Sequence, residues 1–93
     1  MNEFELTHRS DDQLLQDLTD AIREDRRSTI KVLATIAEVD FRRLYAAAGH
    51  ASMFVYCVES LGLSEGAAYR RIRAARAGRV YPQLFRALAE GRL

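Results

Sequence analysis

The sequence predicts an all-α fold of about five short helices in one compact bundle that contains a helix-turn-helix-like pair, and three observations carry that expectation. Apolar residues recur at helical spacing through most of the 93 residues. Serines stand where helix starts need a capping oxygen, at Ser10, Ser52 and Ser64, and glycines close the patterns at Gly49, Gly62 and Gly91. No stretch alternates apolar and polar residues like a half-buried strand, and there is no internal repeat or low-complexity segment.

A chain of this length makes a single domain, 1–93, with nothing left for a second core. Residues 1–9 show no sustained period and read as a loose lead, with Phe4 and Leu6 available to tack onto the core. Ser10-Asp11-Asp12-Gln13 is a capping-box pattern with acids in the first turn, where the helix dipole favours them. Leu14, Leu15, Leu18, Ala21 and Ile22 then form a stripe about 120° wide, and Arg23, Arg26 and Arg27 gather near the C-terminal end. This first helix reads as an ordinary amphipathic one with a structural role.

A second helix should begin near Ser28 or Thr29, run toward Ala47 and end at Gly49. Because no Gly or Pro interrupts residues 24–28, a continuous helix through that region is also open. Ile30, Leu33, Ala37, Phe41 and Leu44 make one apolar face, and Val32, Ile36 and Val39 make another on roughly the opposite side. Either this is the central helix of the domain, or it is a core helix on one side and a homodimer contact on the other. Cover from within the chain is favoured, since a five-helix domain has enough elements to wrap one helix.

Residues 52–79 give the sharpest pattern. Ser52 caps a helix from Met53 to Leu61, Gly62 ends it in the left-handed conformation, and Ser64 caps a second helix from Glu65 to about Ala77. That turn has the length a helix-turn-helix needs. On a wheel at about 100° per residue, Ala68, Ile72 and Ala75 form an inward stripe, while Tyr69, Arg70, Arg73 and Arg76 share a separate arc. Arg71 stands alone, and Arg79 lies in line with the apolar stripe. A mostly alanine stripe lets the helix sit close to what lies beneath it and leaves a projecting basic face, which suits a major groove.

Charge runs on helices are usually only solvated, but solvated helices normally mix signs. Between Glu65 and Arg79 there are five arginines, one glutamate and no lysine. Planar guanidinium groups favour bidentate contacts to phosphate or guanine, although Lys31 is the sole lysine of the whole chain. The charge distribution along the chain agrees: residues 1–28 hold eight acids and four arginines, whereas residues 29–93 hold ten basic and five acidic residues, within a net charge of +1. Such asymmetry suits one face for an anionic partner. Gly66, in the first turn of the arginine helix, either lets backbone N–H groups approach a phosphate or is simply tolerated there.

At the far end Pro82 suits the first position of a short helix, with Leu84, Phe85 and Leu88 facing inward and Gly91 closing it. It must dock on the rest, through Phe85 with Tyr81 close by, because so short a helix does not hold alone.

Catalytic chemistry has no constellation in this chain: two isolated histidines, His8 and His50, one cysteine and surface-patterned acids do not compose a catalytic set, so no enzyme activity is expected. Cys57 between Tyr56 and Val58 reads as a buried small hydrophobe. No ligand spacing suits zinc, no glycine loop cradles phosphate, and neither cofactor nor small-molecule ligand is implied. No apolar run approaches the roughly 20 residues of a membrane span, and the acidic N-terminus lacks signal-peptide character. A soluble, cytoplasmic protein without a membrane partner is the expectation.

The segment from about Leu44 to Leu93, above all Leu61-Gly62-Leu63-Ser64-Glu65-Gly66-Ala67-Ala68-Tyr69-Arg70-Arg71-Ile72, resembles the helical N-terminal region found ahead of the catalytic module in bacterial HNH-endonuclease-type proteins. The same block is similar to the helix-turn-helix of DNA-binding regulators, with Gly at the turn, an apolar residue and Ser after it, and a small residue at Ala68. Arg71 stands where those regulators more often carry an apolar residue, with Ile72 one place later. The resemblance implies a non-catalytic region, because the histidine-rich metal nuclease module has no counterpart here.

Together these readings point to a DNA-binding helical domain that presents helix 65–77 to duplex DNA. Arg70 and Arg73 are the candidates for base edges, Arg71, Arg76 and Arg79 for phosphates, and Tyr69 for sugar or phosphate. The alternative is a protein-interaction or oligomerisation domain that uses the two-faced helix 29–47, with the arginines pairing to the acidic first helix of a neighbour.

Overall fold

Ser10 starts the first helix as its sequence pattern requires. Its hydroxyl accepts from the Gln13 N–H at 3.2 Å while the Gln13 side chain accepts from the Ser10 N–H at 2.9 Å, a complete capping box. In the computed structural model, which describes residues 3–92, that helix, α1, runs unbroken from Asp11 to Arg42. The two expected N-terminal helices are therefore one. Nothing between Glu24 and Thr29 removes a backbone donor or opens an alternative turn, so propagation continues.

The break comes instead at Arg43, where φ 54 and ψ 38 place a non-glycine residue in the left-handed region. Its N–H bonds back to the Val39 and Asp40 carbonyls, closing α1 one residue before the one-turn helix α2, Leu44–Ala47. Such a conformation costs an arginine about 1–2 kcal/mol, so the packing beyond must hold it. Gly49, at φ 90, then turns the chain toward α3. The expected end at Gly49 is thus the end of α2, not of a continuous second helix.

α3 spans Met53–Glu59 and α4 spans Glu65–Val80. Both start on the anticipated serines: Ser52 Oγ accepts from the Val55 N–H and Ser64 Oγ from the Ala67 N–H, each at 3.1 Å. Between them Gly62 adopts φ 70, and Leu63 N–H closes the turn onto the Cys57 carbonyl at 3.1 Å. α5 spans Gln83–Ala89 with Pro82 at its cap, one position earlier than expected, and Gly91 follows at φ 74. Five helices and no strand make up the described residues, all of them in contact through α1 or α4.

The core lies on the C-terminal half of α1. Ile36 and Ala37 of α1, Met53 and Cys57 of α3, and Ala68, Ile72 and Ala75 of α4 form one buried cluster. Val32 and Val39 pack against it, so α3 and α4 cover much of the second apolar face of α1 from within the chain. Full burial of Ile36, Met53 and Ile72 contributes about 1.5–3 kcal/mol each. Ala68 and Ala75 are wholly inaccessible, and their small side chains bring α4 close to the α1 and α3 side chains beneath. α5 docks differently: Phe85 lies against Gly78, where an added methyl group would fall within the ring. Tyr81 stays exposed.

The N-terminal half of α1 buries nothing. Leu14, Leu15, Leu18 and Ile22 are exposed, and the molecule measures 50 × 33 × 19 Å. Its radius of gyration of 16.8 Å exceeds the roughly 12 Å of a compact chain of this length. The helices pack together as expected, but this arm reaches past them. In the lead, Arg9 holds Asp17 with two bonds of 2.9 Å, while Phe4 and Leu6 lie exposed; Met1 and Asn2 lie outside the described residues. Among the described residues no helix is long and apolar enough to cross a membrane.

Candidate nucleic-acid interface

The face of α4 opposite its alanines carries Tyr69, Arg70, Arg73 and Arg76, because a helix buried on Ala68, Ile72 and Ala75 must turn those positions outward. Arg73 donates to the Tyr69 hydroxyl at 3.0 Å, and its guanidinium carbon stands 5.5 Å from the centre of that ring. The pair is one turn apart, so each side chain stiffens the other. Arg70 folds back over Gly66, where a Cβ would stand 3.1 Å from its Nη1. The glycine is thus the space into which Arg70 lies. Neither Arg70 nor Arg73 has a carboxylate partner among the described residues.

Arg76 belongs to the same arc but is engaged within the chain. Its Nε and Nη2 donate to the two Asp40 carboxylate oxygens at 2.8 and 3.1 Å. The hydrogen bonds to Asp40 raise the guanidinium pKa further above its ordinary value. Arg79 donates to Glu38 at 3.0 Å and lies 3.6 Å over the Phe41 ring. Glu38 also accepts from Arg42 at 2.8 Å, and these two bonds, Arg42 first, pull its carboxyl below the usual 4.5. Arg71 lies on the other edge of α4, lining a groove with Val32, Ile36 and Leu63. Of the six expected contact residues, Tyr69, Arg70 and Arg73 are grouped and outward, Arg76 and Arg79 are tied to α1, and Arg71 stands apart.

Beside Tyr69 and Arg73 the surface dips into a depression of about 220 Å³ floored by Met53 and Ile72 and edged by Ser52 and Phe54. The start of α3 therefore borders the arginine face of α4. On the far side of α3, His50 Nε2 and Ser60 Oγ share a hydrogen bond of 2.8 Å. Its Nδ1 lies 3.4 Å from Glu59, and its ring meets Tyr56 edge-on at 5.4 Å. His50 thus fastens the loop before α3 to the end of that helix, a role the sequence did not display. Cys57 is fully buried, and loss of solvent raises its thiol pKa. Among the described residues no three His, Cys, Asp or Glu side chains converge as metal ligands would.

Asp40 and Glu38, the acid partners of Arg76 and Arg79, were not singled out by the sequence pattern, and Phe41, expected on an apolar face of the second helix, is exposed and lies under the Arg79 guanidinium instead. The only local signal of the two acids is their place at the end of an otherwise apolar stretch of α1. In comparison with known proteins, the chain matches no family model, no curated protein and no solved structure.

Proposed function

We propose that the chain is a DNA-binding domain in which α3 and α4 act as a helix-turn-helix and α4 enters the major groove of duplex DNA. The observation that carries this reading is the outward group of Tyr69, Arg70 and Arg73, two cations without a carboxylate partner among the described residues on the face opposite a buried alanine stripe. The resemblance of the segment 44–93 to the helical region ahead of the nuclease module in HNH-endonuclease-type proteins supports the same reading. Arg70 and Arg73 reach base edges, Tyr69 a sugar or phosphate, and Arg71 a flanking phosphate. Arg76 and Arg79 act mainly as struts that fix α4 on α1, which holds the reading helix at a set angle. Guanidinium groups suit this role because their planar fork matches guanine and phosphate alike.

The test is a fluorescence-anisotropy titration of labelled duplex DNA at several salt concentrations. With Arg71 on a phosphate and Arg70 and Arg73 lying in the groove between the strands, about one to three cations displace counterions, and the log–log slope should lie between about −1 and −3. Absence of binding at about 50 mM salt, where this electrostatic contribution is strong, would refute the proposal.

A further inference from the structure

We infer that the N-terminal arm of α1 is a docking element for a second copy of this chain, and that two copies pair antiparallel along α1 with each arm lying in the other's groove. The groove is an open trough of about 470 Å³ between the C-terminal half of α1 and a wall of Met53, Tyr56, Leu61 and Leu63. Its α1 wall is Ser28, Lys31, Val32, Thr35, Ile36 and Val39. The arm offers Leu14, Leu15, Leu18 and Ile22, with Leu18 61% exposed. Among the described residues nothing covers this apolar ridge, and α1 carries both the ridge and one wall of the open apolar trough.

Their registers match. Residues 14, 18, 21, 25, 28, 32, 35 and 39 are spaced alternately four and three apart, the a/d repeat of a two-stranded coil. Every α1 residue lining the groove falls on a core or flanking position of that repeat. An antiparallel partner places Leu14 against Val39, Leu18 against Thr35, Ala21 against Val32 and Asp25 against Ser28, and the flanking Leu15 against Ile36. The Ser28 hydroxyl then donates to the Asp25 carboxylate across the two-fold axis. The axis repeats the pair, so two adjacent polar layers at the centre of the seam fix register.

Charge selects the same occupant. Between residues 11 and 25 the arm holds six acids against Arg23 alone, while the groove is edged by Lys31 and Arg71. In this register Glu24 meets Lys31 of the other copy, and neither has an ion-pair partner among the described residues. Asp17 comes opposite Glu38, but each is already neutralised in its own chain, by Arg9 and by Arg42 and Arg79. The pairing is isologous, so it closes at two copies.

Sedimentation equilibrium of the wild-type chain up to about 200 μM, where even a weak dimer is populated, should show a monomer–dimer equilibrium. Leu18→Glu lies on the exposed arm, so circular dichroism should remain helical while the dimer weakens about tenfold or more. Glu24→Lys and Lys31→Glu should each weaken it several-fold, and the double variant should recover it, because residues seven apart on one helix do not reach each other. A strictly monomeric wild type, a dimer that survives Leu18→Glu, or a double variant that fails to recover would each overturn the inference. These measurements involve no nucleic acid, so they stand or fall apart from DNA binding.

Discussion

Arg76 of α4 grips Asp40 of α1 through two parallel hydrogen bonds, with Asp40 more shielded from solvent than its partner. A guanidinium that reads as one member of an outward basic arc is therefore a clamp between two helices. With Arg79 on Glu38 and over Phe41, it ties the C-terminal half of α4 to the end of α1. The outward face is left to Tyr69, Arg70 and Arg73.

This division predicts opposite profiles for neighbouring arginines. Arg76→Ala and Asp40→Asn should each lower stability by about 0.5–1 kcal/mol after solvent screening, and the double variant should lose little more. Arg73→Ala should leave stability nearly unchanged while weakening DNA binding by about tenfold, the scale of one base or phosphate contact. Asp40→Asn should bind DNA at least as well as wild type, since it frees a cation and removes an anion. Urea denaturation and anisotropy on the four proteins measure this; equal losses of binding from Arg73→Ala and Arg76→Ala would contradict the division.

The seat of Phe85 on Gly78 predicts a sign reversal. Gly78→Ala gains about 1 kcal/mol of helix propensity but must displace the ring, at a cost of about 1–3 kcal/mol. In the wild-type background it should therefore be neutral to destabilising by about 2 kcal/mol. In a Phe85→Ala background the methyl group has room, and the same change should stabilise by about 0.5–1 kcal/mol. Paired urea denaturation curves give both values, and a stabilising Gly78→Ala in the intact protein would place Phe85 elsewhere.

Glu38 predicts a specific acid sensitivity. Hydrogen bonds from Arg42 and Arg79 hold its carboxyl pKa below 4.5 in the folded state. A lowered folded pKa contributes stability that is present above the unfolded value and is lost as pH falls through the folded one. Glu38→Gln should therefore melt below wild type at pH 7, with the gap closing as pH drops from about 4.5 downward. Thermal melts at pH 7, 4.5 and 3 test this. A gap that is constant across that range would mean the two arginines do not act on Glu38 as a charge.

The sequence by itself determined what depends on residues within a turn of each other. Ser10, Ser52 and Ser64 cap their helices because a hydroxyl at the first residue reaches a backbone N–H three places on. Gly62 takes the left-handed turn, and the alanines of α4 face inward, both readable from local spacing. The tertiary structure decided what distance in sequence concealed. Arg43, a residue without turn character, breaks the first helix where the chain must swing back over it. Arg76 and Arg79 find acids 36 and 41 positions away, so their engagement has no trace in the helix that carries them. The leucine stripe of α1 looked like ordinary core because periodicity records that a face is apolar, whereas only the fold of the remaining helices determines whether anything in the same chain covers it.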